Sequence, residues 1–246
     1  MKALSAGYNG VLVIDKPQGW TSHDVVQHVK RKLKARKAGH LGTLDPIATG
    51  VLVLVLDSAT KYASTLGAGA KEYLAACKLG EETDTYDSEG SVVRAPGTGG
   101  LAGDDVRKAL DGFRGRISQV PPMYSAVKSK GTPLYKLARK GVTVEREPRE
   151  VTVHELEVTS MDLPVLEFRT VCSAGTYVRS ICHDLGERLG CGGHLQALRR
   201  TRSGAFRIDE AAHPKLPAEE LAERIIPLDE ALKRAALEAG PQGPEA

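Results

Sequence analysis

"GHLGTLDPIATGVLVLVL", residues 39–56, sets one carboxylate, an Asp-Pro step and three glycines ahead of an unbroken apolar run. The run, Val51–Leu56, lacks polar alternation, which is the pattern of a strand covered on both faces. Asp45 precedes Pro46, and a residue before proline is pushed towards extended backbone. The proline ring fixes the next φ, while Gly42 and Gly50 permit turns that a side chain would resist. A stiff loop presenting a single carboxylate, leading directly into a buried strand, is the expected result. Catalysis rewards such rigidity, because a misplacement of ~1 Å can cost about 10²-fold in rate.

Upstream, "VLVID" (11–15) reads as a strand that ends in the turn "KPQGW". "TSHDVVQHVKRKLK" (21–34) reads as a helix, with Thr21 and Asp24 at capping-box spacing and Val25, Val29 and Leu33 on one apolar stripe. Its other face carries Lys30, Arg31 and Lys34, and the basic run continues through Arg36 and Lys37. Downstream, "DSATKYASTLG" predicts a short helix capped by Asp57 or Ser58. "KEYLAACKLG" predicts a strand, "EETDTYDSEG" a polar turn, and "DDVRKALDGFRG" a helix stopped by glycine.

Residues 121–150 form a long proline- and lysine-rich excursion with Lys128, Lys130, Lys136, Arg139, Lys140, Arg146 and Arg149. Segments of this length without regular structure are usually functional or disordered. The strands "VTVHELEV" and "VLEFRTVCS" follow, then the helix "GTYVRSICHDLGERLG" and "LQALRRTRSGAFRI". Strands and helices interleave without βαβ spacing, so the expected class is α+β, with a large mixed or antiparallel sheet flanked by helices. The closing "AGPQGPEA" reads as a frayed end.

Net charge is +3 over 246 residues, unevenly spread. Residues 207–246 hold nine acids against five bases, −4, which leaves residues 1–206 at +7. A basic body suits a polyanionic partner. Aromatic content of 4% argues against a broad stacking platform for single strands. No apolar run reaches the ~18 residues needed to cross a bilayer, and "MKALSAGYNG" has no signal-peptide core. Four scattered cysteines without a CxxC read as reduced cytosolic thiols. Cys182, His183, Cys191 and His194 fit no zinc template, so no metal is expected. Arg179 falls in the first turn of its predicted helix, where the macrodipole disfavours a cation by ~0.3–1 kcal/mol. That placement calls for a carboxylate partner, and a bidentate pair with Asp45 would hold the aspartate ionised and aimed.

The stretches "DKPQGWTSHDVV", "GHLGTLDPIATGVL", "ATKY", "KEYLA", "ETDTYDSEG", "QVPPMYSAVKSKGTPLYKLAR", "CSAGTYVRSICHDLG" and "LRRTRSGAF" span residues 11–206. In this order they resemble the TruB family, the bacterial tRNA pseudouridine-55 synthases. The resemblance implies a pseudouridine synthase fold, a catalytic domain over residues 1–206 and an RNA-clamping insertion at about 121–150. It leaves 207–246 as a short acidic segment, too short for the PUA-type RNA-binding domain that the family often carries.

By position, the resemblance makes Asp45 the catalytic aspartate, Tyr73 the tyrosine that stacks on the target base, and Arg179 the partner of the aspartate. Leu198 matches an apolar residue packed on the uracil, Lys16 a lysine beside the site, and Asp87 an acid near the bound nucleotide. His40 matches a histidine that fills space vacated by flipped T-loop nucleotides. The implied reaction breaks N1–C1′ of the T-loop uridine at position 55, turns the uracil and joins C5 to C1′. Atoms are only rearranged, so no cofactor is expected, in keeping with the lack of a P-loop or dinucleotide fingerprint. The basic helix near 30–37, the excursion, and Arg199, Arg200 and Arg202 would supply phosphate contacts. The implied partner is tRNA, with no membrane and no protein partner, for a cytoplasmic monomer. An RNA base glycosidase and a non-catalytic tRNA-folding chaperone remain compatible with the same residues.

Overall fold

The computed structural model describes residues 7–129 and 131–239, which cluster into two units. One is built from the chain up to Tyr73 and from Arg199 onwards, the other from Leu74–Leu198. Lys130 of the basic excursion and the closing residues 240–246 lie outside the described residues.

The first unit begins with β1 (Gly10–Lys16), α1 (Ser22–Leu33), β2 (Ala38–Leu41) and β3 (Thr49–Leu56). α1 starts where the capping signal places it. Thr21 Oγ1 accepts from the Asp24 amide at 3.1 Å, and Asp24 Oδ2 accepts from the Thr21 amide at 3.0 Å. Two orphan donors of the first turn are thereby satisfied. Val25, Val29 and Leu33 are all buried, as the stripe requires. β3 is the central strand. It pairs antiparallel with β1 from Gly10↔Leu56 to Lys16↔Gly50, and with β2 from Ala38↔Leu56 to Leu41↔Val53. Every side chain of Val51–Leu56 is at most 1% exposed, so the strand is covered on both faces.

A 3-10 turn (Asp57–Tyr62) then runs into α2 (Ala63–Gly67). Here the expected cap is corrected: neither Asp57 nor Ser58 is a cap, and Leu56 holds the N-cap position of the 3-10 turn and Tyr62 that of α2, each without a side-chain bond. Asp57 instead has a left-handed φ of 48°, and its Oδ1 accepts from the Lys37 amide at 2.9 Å. A backbone donor brought in from the start of β2 outcompetes the local cap.

β4 (Lys71–Leu79) carries the chain into the second unit, where β5 (Glu82–Thr83) and β6 (Val92–Arg94) form a small ribbon. α3 (Gly103–Asp111), β7 (Gly115–Gln119), the minimal pair β8 (Lys128–Ser129) and β9 (Thr132–Pro133), and the short α4 (Leu134–Ala138) follow. The long hairpin β10 (Arg149–Asp162) and β11 (Val165–Cys172) leads to α5 (Val178–Arg188) and β12 (Gly193–Ser203). The sheet of this unit runs β4-β11-β10-β7, antiparallel across β11-β10-β7. α3 stops at Gly112 as read. Arg188 of α5 lies 4.3 Å over the Phe113 ring and donates to Ala109 O at 2.9 Å, which seats α5 on α3.

From Arg199, β12 belongs to the first unit, followed by β13 (Phe206–Arg207), α6 (Ala218–Glu223), β14 (Ile226–Pro227) and α7 (Leu228–Ala239). β12 pairs parallel with β3 at Arg199↔Thr49 and Arg200↔Gly50, so this sheet, ordered β14-β1-β3-β12, is mixed. Residues 207–239 share the first unit's core. β14 pairs with β1, Ala212 donates to Val13 O at 2.9 Å, and Leu221 and Ala231 are fully buried. Several acids of this segment are neutralised within the unit, Glu210 and Glu230 by Arg234 and Glu238 by Arg202. The class is α+β, as expected. Among the described residues, no helix is long and apolar enough to cross a membrane.

Candidate active site

Asp45 sits in the connection between β2 and β3. Its carbonyl accepts from the Ala48 amide at 3.0 Å, closing a turn with Pro46 in its favoured second position. Three groups fasten this loop from beneath. The buried Ser22 hydroxyl donates to Leu44 O at 3.0 Å and accepts from the Leu44 amide at 2.8 Å, satisfying both backbone groups of the residue before Asp45. Lys16 is 0% exposed, and its Nζ donates to the carbonyls of Pro17 at 3.0 Å, Pro46 at 3.3 Å, and Trp20. The turn that carries Asp45 thus rests on a buried ammonium, a charge that burial tolerates only with such partners.

The third fastener is Arg200, 1% exposed. Its Nε donates to Val51 O at 2.7 Å and its Nη2 to Gly42 O at 2.9 Å, joining the two ends of the loop. Gly42 and Gly50 have φ of 74° and 97°, and a β-carbon on Gly50 would stand 2.2 Å from Arg200 O. The burial of Arg200 and its two bonds to carbonyls inside the unit correct the expectation that it meets phosphate. Arg199 grips Asp15 in a fork, with contacts of 3.1 and 2.8 Å, and Arg202 pairs with Glu238.

His40 lies on β2 opposite Leu54, and Tyr73 is 7% exposed on β4. Burial first, then the charges of Arg200 and His23, hold the His40 imidazole below its usual pKa, so it is neutral near pH 7. Lys16 and the Asp45 turn are therefore in direct contact, with His40 and Tyr73 in the same unit.

The second unit builds its part of the site at the start of α5. The Gln119 side chain, buried at the end of β7, accepts from the Tyr177 amide at 2.7 Å and donates to Tyr177 O at 3.0 Å. It anchors the N-cap residue of the helix on both sides. Ser180 Oγ adds a bond to Val120 O at 3.3 Å. Arg179, in the first turn, is 3% exposed. Its Nη1 donates to Thr85 O at 3.1 Å and its Nη2 to Tyr124 O at 2.8 Å, while Asp87 Oδ2 stands 3.6 Å from Nη1. Within the unit, Asp87 supplies a carboxylate to this cation at the helix start.

Asp87 is itself 4% exposed, and its Oδ1 accepts from Thr85 Oγ1 at 2.6 Å and the Glu89 amide at 3.1 Å. These bonds give the buried Asp87 carboxylate the polar partners that burial of a charge requires. Leu198, 8% exposed, closes the unit on β12. Arg179 and Asp87 are thus brought together. Gln119, unmarked in the sequence reading, has no local signal: its partner lies 58 residues away. Of the four residues weighed as zinc ligands, Cys182 is fully buried against Cys77, and burial raises its thiol pKa. His194 Nδ1 contacts Glu81 O at 3.0 Å.

The family model described as TruB family pseudouridylate synthase (N terminal domain) matches residues 30–178. A second, for the tRNA pseudouridylate synthase B C-terminal domain, matches residues 179–233. The tRNA pseudouridine synthase B of Geobacter sulfurreducens is 53% identical over 203 residues, covering 82% of this chain and 67% of that protein. Its counterpart from Opitutus terrae is 47% identical over 227 residues, covering 91% of this chain and 94% of that protein. Among solved structures, a chain of a Cbf5-Nop10-Gar1 complex has a TM-score of 0.71 at 32% identity, and 92% of this chain spans 62% of that one. With the pinned aspartate loop, the buried Arg179–Asp87 pair and these matches along nearly the whole described length, the chain belongs to the TruB family of pseudouridylate synthases.

Proposed function

We propose that this chain converts the T-loop uridine at position 55 of tRNA into pseudouridine, with Asp45 as the catalytic carboxylate and Arg179 as its partner. The observation that carries the reading is the Asp45 loop, held from below by Lys16, Ser22 and Arg200. Residues are rarely restrained from so many sides unless the position of one side chain matters, and a carboxylate serves either as nucleophile or as base. The N1–C1′ bond breaks, the freed uracil turns, and C5 bonds to C1′. The C5 proton leaves and N1 gains one, so composition is unchanged and no cofactor takes part.

A stacked base must be extruded before it reaches any carboxylate, at a cost of a few kcal/mol. Tyr73 would stack on the everted uracil, Leu198 would pack against it, and the neutral His40 would occupy vacated space without adding charge. Lys16 acts by supporting the turn, and Asp87 by holding Arg179. Exposed Arg31, Lys34, Arg36 and Lys37, together with Lys128, Lys136, Arg139 and Lys140 of the excursion, offer phosphate contacts that offset the cost of flipping. RNA recognition then rests on loop shape more than on duplex sequence. The enzyme acts as a cytoplasmic monomer, without a protein partner.

Tritium release from tRNA labelled at uridine C5 tests the reading. The parent chain releases tritium with RNA mass unchanged, and Asp45→Asn, which keeps shape and removes charge, abolishes release. Loss of the base from the RNA would reveal a glycosidase, and release by Asp45→Asn at the parent rate would remove Asp45 from the chemistry.

A further inference from the structure

α5 presents two side chains one turn apart, Arg179 and His183, on the same helix face. Both meet a single loop, the segment following β5. Arg179 holds Thr85 O and Asp87, as described. His183 lies flat against Tyr86, the residue between them, with ring centroids 3.7 Å apart and an interplanar angle of 9°. Glu82, one residue before Thr83, faces the same imidazole, with Oε1 3.6 Å from Nδ1, and is itself tied to Arg94 at 3.1 Å.

Tyr86 has a φ of 64°, left-handed backbone that favours glycine or asparagine. Glycine would adopt this turn at lower conformational cost, whereas tyrosine adds a ring to it. Beside the stack, Thr83 Oγ1 donates to Asp87 O at 2.7 Å, and backbone bonds fold the loop on itself and tie it to Leu195. Tyr86 N donates to Thr83 O at 3.2 Å, Leu195 N donates to Tyr86 O at 2.9 Å, and Ser88 N donates to Leu195 O at 2.9 Å.

We propose that the Tyr86–His183 stack is a positioning device: it locks the 85–87 segment against α5 and so sets the aim of the Arg179 guanidinium. Neither residue touches substrate. Both act through Asp87 and Thr85, and the inference rests on the reading that Arg179 serves the reaction. The contact works by ring stacking, so a neutral aromatic ring replaces either partner.

The test compares Tyr86→Gly, Tyr86→Phe, His183→Ala and His183→Phe with Arg179→Lys in the full chain, by tritium release and thermal melting. Tyr86→Gly is the decisive variant, because it deletes the stack while relieving the left-handed strain, which keeps the fold melting near the parent. Tyr86→Gly and His183→Ala are expected to lower kcat on the order of 10-fold with KM within about 2-fold, since a small misalignment slows the chemical step. Tyr86→Phe and His183→Phe are expected to keep kcat within about 2-fold of the parent. Parent-like kcat in Tyr86→Gly, a change confined to KM, or no rescue by His183→Phe overturns the stack as a positioning device. If Arg179→Lys is impaired while the stack variants are not, the stack alone fails. If Arg179→Lys turns over at the parent rate, the underlying role of Arg179 fails instead.

Discussion

Replacing Gly50 with alanine tests whether β3 and β12 approach at a distance that only a bare backbone allows. Gly50 pairs with Arg200 at a φ of 97°, and a β-carbon there would meet Arg200 O at 2.2 Å and Arg200 N at 2.9 Å. Left-handed backbone costs a residue with a side chain about 1–2 kcal/mol. The clash comes on top, because main chain cannot rotate aside. β12 has to step back, and the Arg200 bonds to Val51 O and Gly42 O, 2.7 and 2.9 Å, stretch with it. Losing one hydrogen bond from a buried charged donor costs about 1.5–3 kcal/mol. The expected total is about 2.5–5 kcal/mol, near the top of the range for single substitutions. At about 2–4 °C per kcal/mol for a chain of this size, Tm falls by roughly 5–20 °C. Gly42→Ala is the internal control. Its φ is 74°, but its nearest obstacles are Arg200 Nη1 at 3.3 Å and Lys71 Cε at 3.5 Å, flexible side-chain ends. Only the backbone penalty of about 1–2 kcal/mol applies, or roughly 2–8 °C. Differential scanning calorimetry reads both variants and shows whether the two units melt together. A Gly50→Ala protein melting within 2 °C of the parent, or above Gly42→Ala, would refute the close-approach argument.

Three further outcomes are expected. Ser22→Ala strands two buried backbone groups of Leu44, costs about 1–3 kcal/mol, and slows turnover because Asp45 is the next residue along; unchanged melting and activity would show that the hydroxyl is dispensable. His40 has a folded-state pKa below 6.5 through burial, so the unfolded chain takes up its proton first as pH falls. The stability held above about pH 6.5 therefore declines as the solution is acidified towards that lower pKa. His28 is shifted in the same direction by burial and Lys32 and contributes to the same limb, so His40→Gln makes the decline between pH 7 and 5 shallower, and an identical slope would count against the His40 assignment. Affinity for a T-arm hairpin falls steeply between about 50 and 200 mM salt through counterion release, less steeply once Lys34, Arg36 and Lys37 are changed to glutamine; a flat response in the parent would remove the role assigned to the basic segments.

Why some of this was legible in the chain and some was not follows from the range of the interactions. The capping box at Thr21 and Asp24, the glycine stop of α3 and the buried run Val51–Leu56 each depend on residues within a few positions, and each is found where local pattern puts it. The Asp57 cap failed because a distant backbone donor, the Lys37 amide, competed for the same carboxylate. Gln119 and Tyr177, or Lys16 and Pro46, recognise each other only after the chain has folded. Cations depart furthest from local pattern, because a lysine or arginine reads as surface charge by default. Among the described residues Lys16, Lys71, Arg179 and Arg200 are all buried, against a single buried acid, Asp87. The body's +7 therefore overstates what an RNA meets. Exposed positive charge includes the segment around residues 30–37 and the excursion, while the inward cations hold carbonyls and a carboxylate in place. On the proposed function the same residue type does two jobs, attracting the polyanion from outside and bracing the aspartate loop from within. Neutralising an inward cation should therefore damage stability and turnover at any ionic strength, whereas neutralising an outward one should act mainly through salt-dependent affinity.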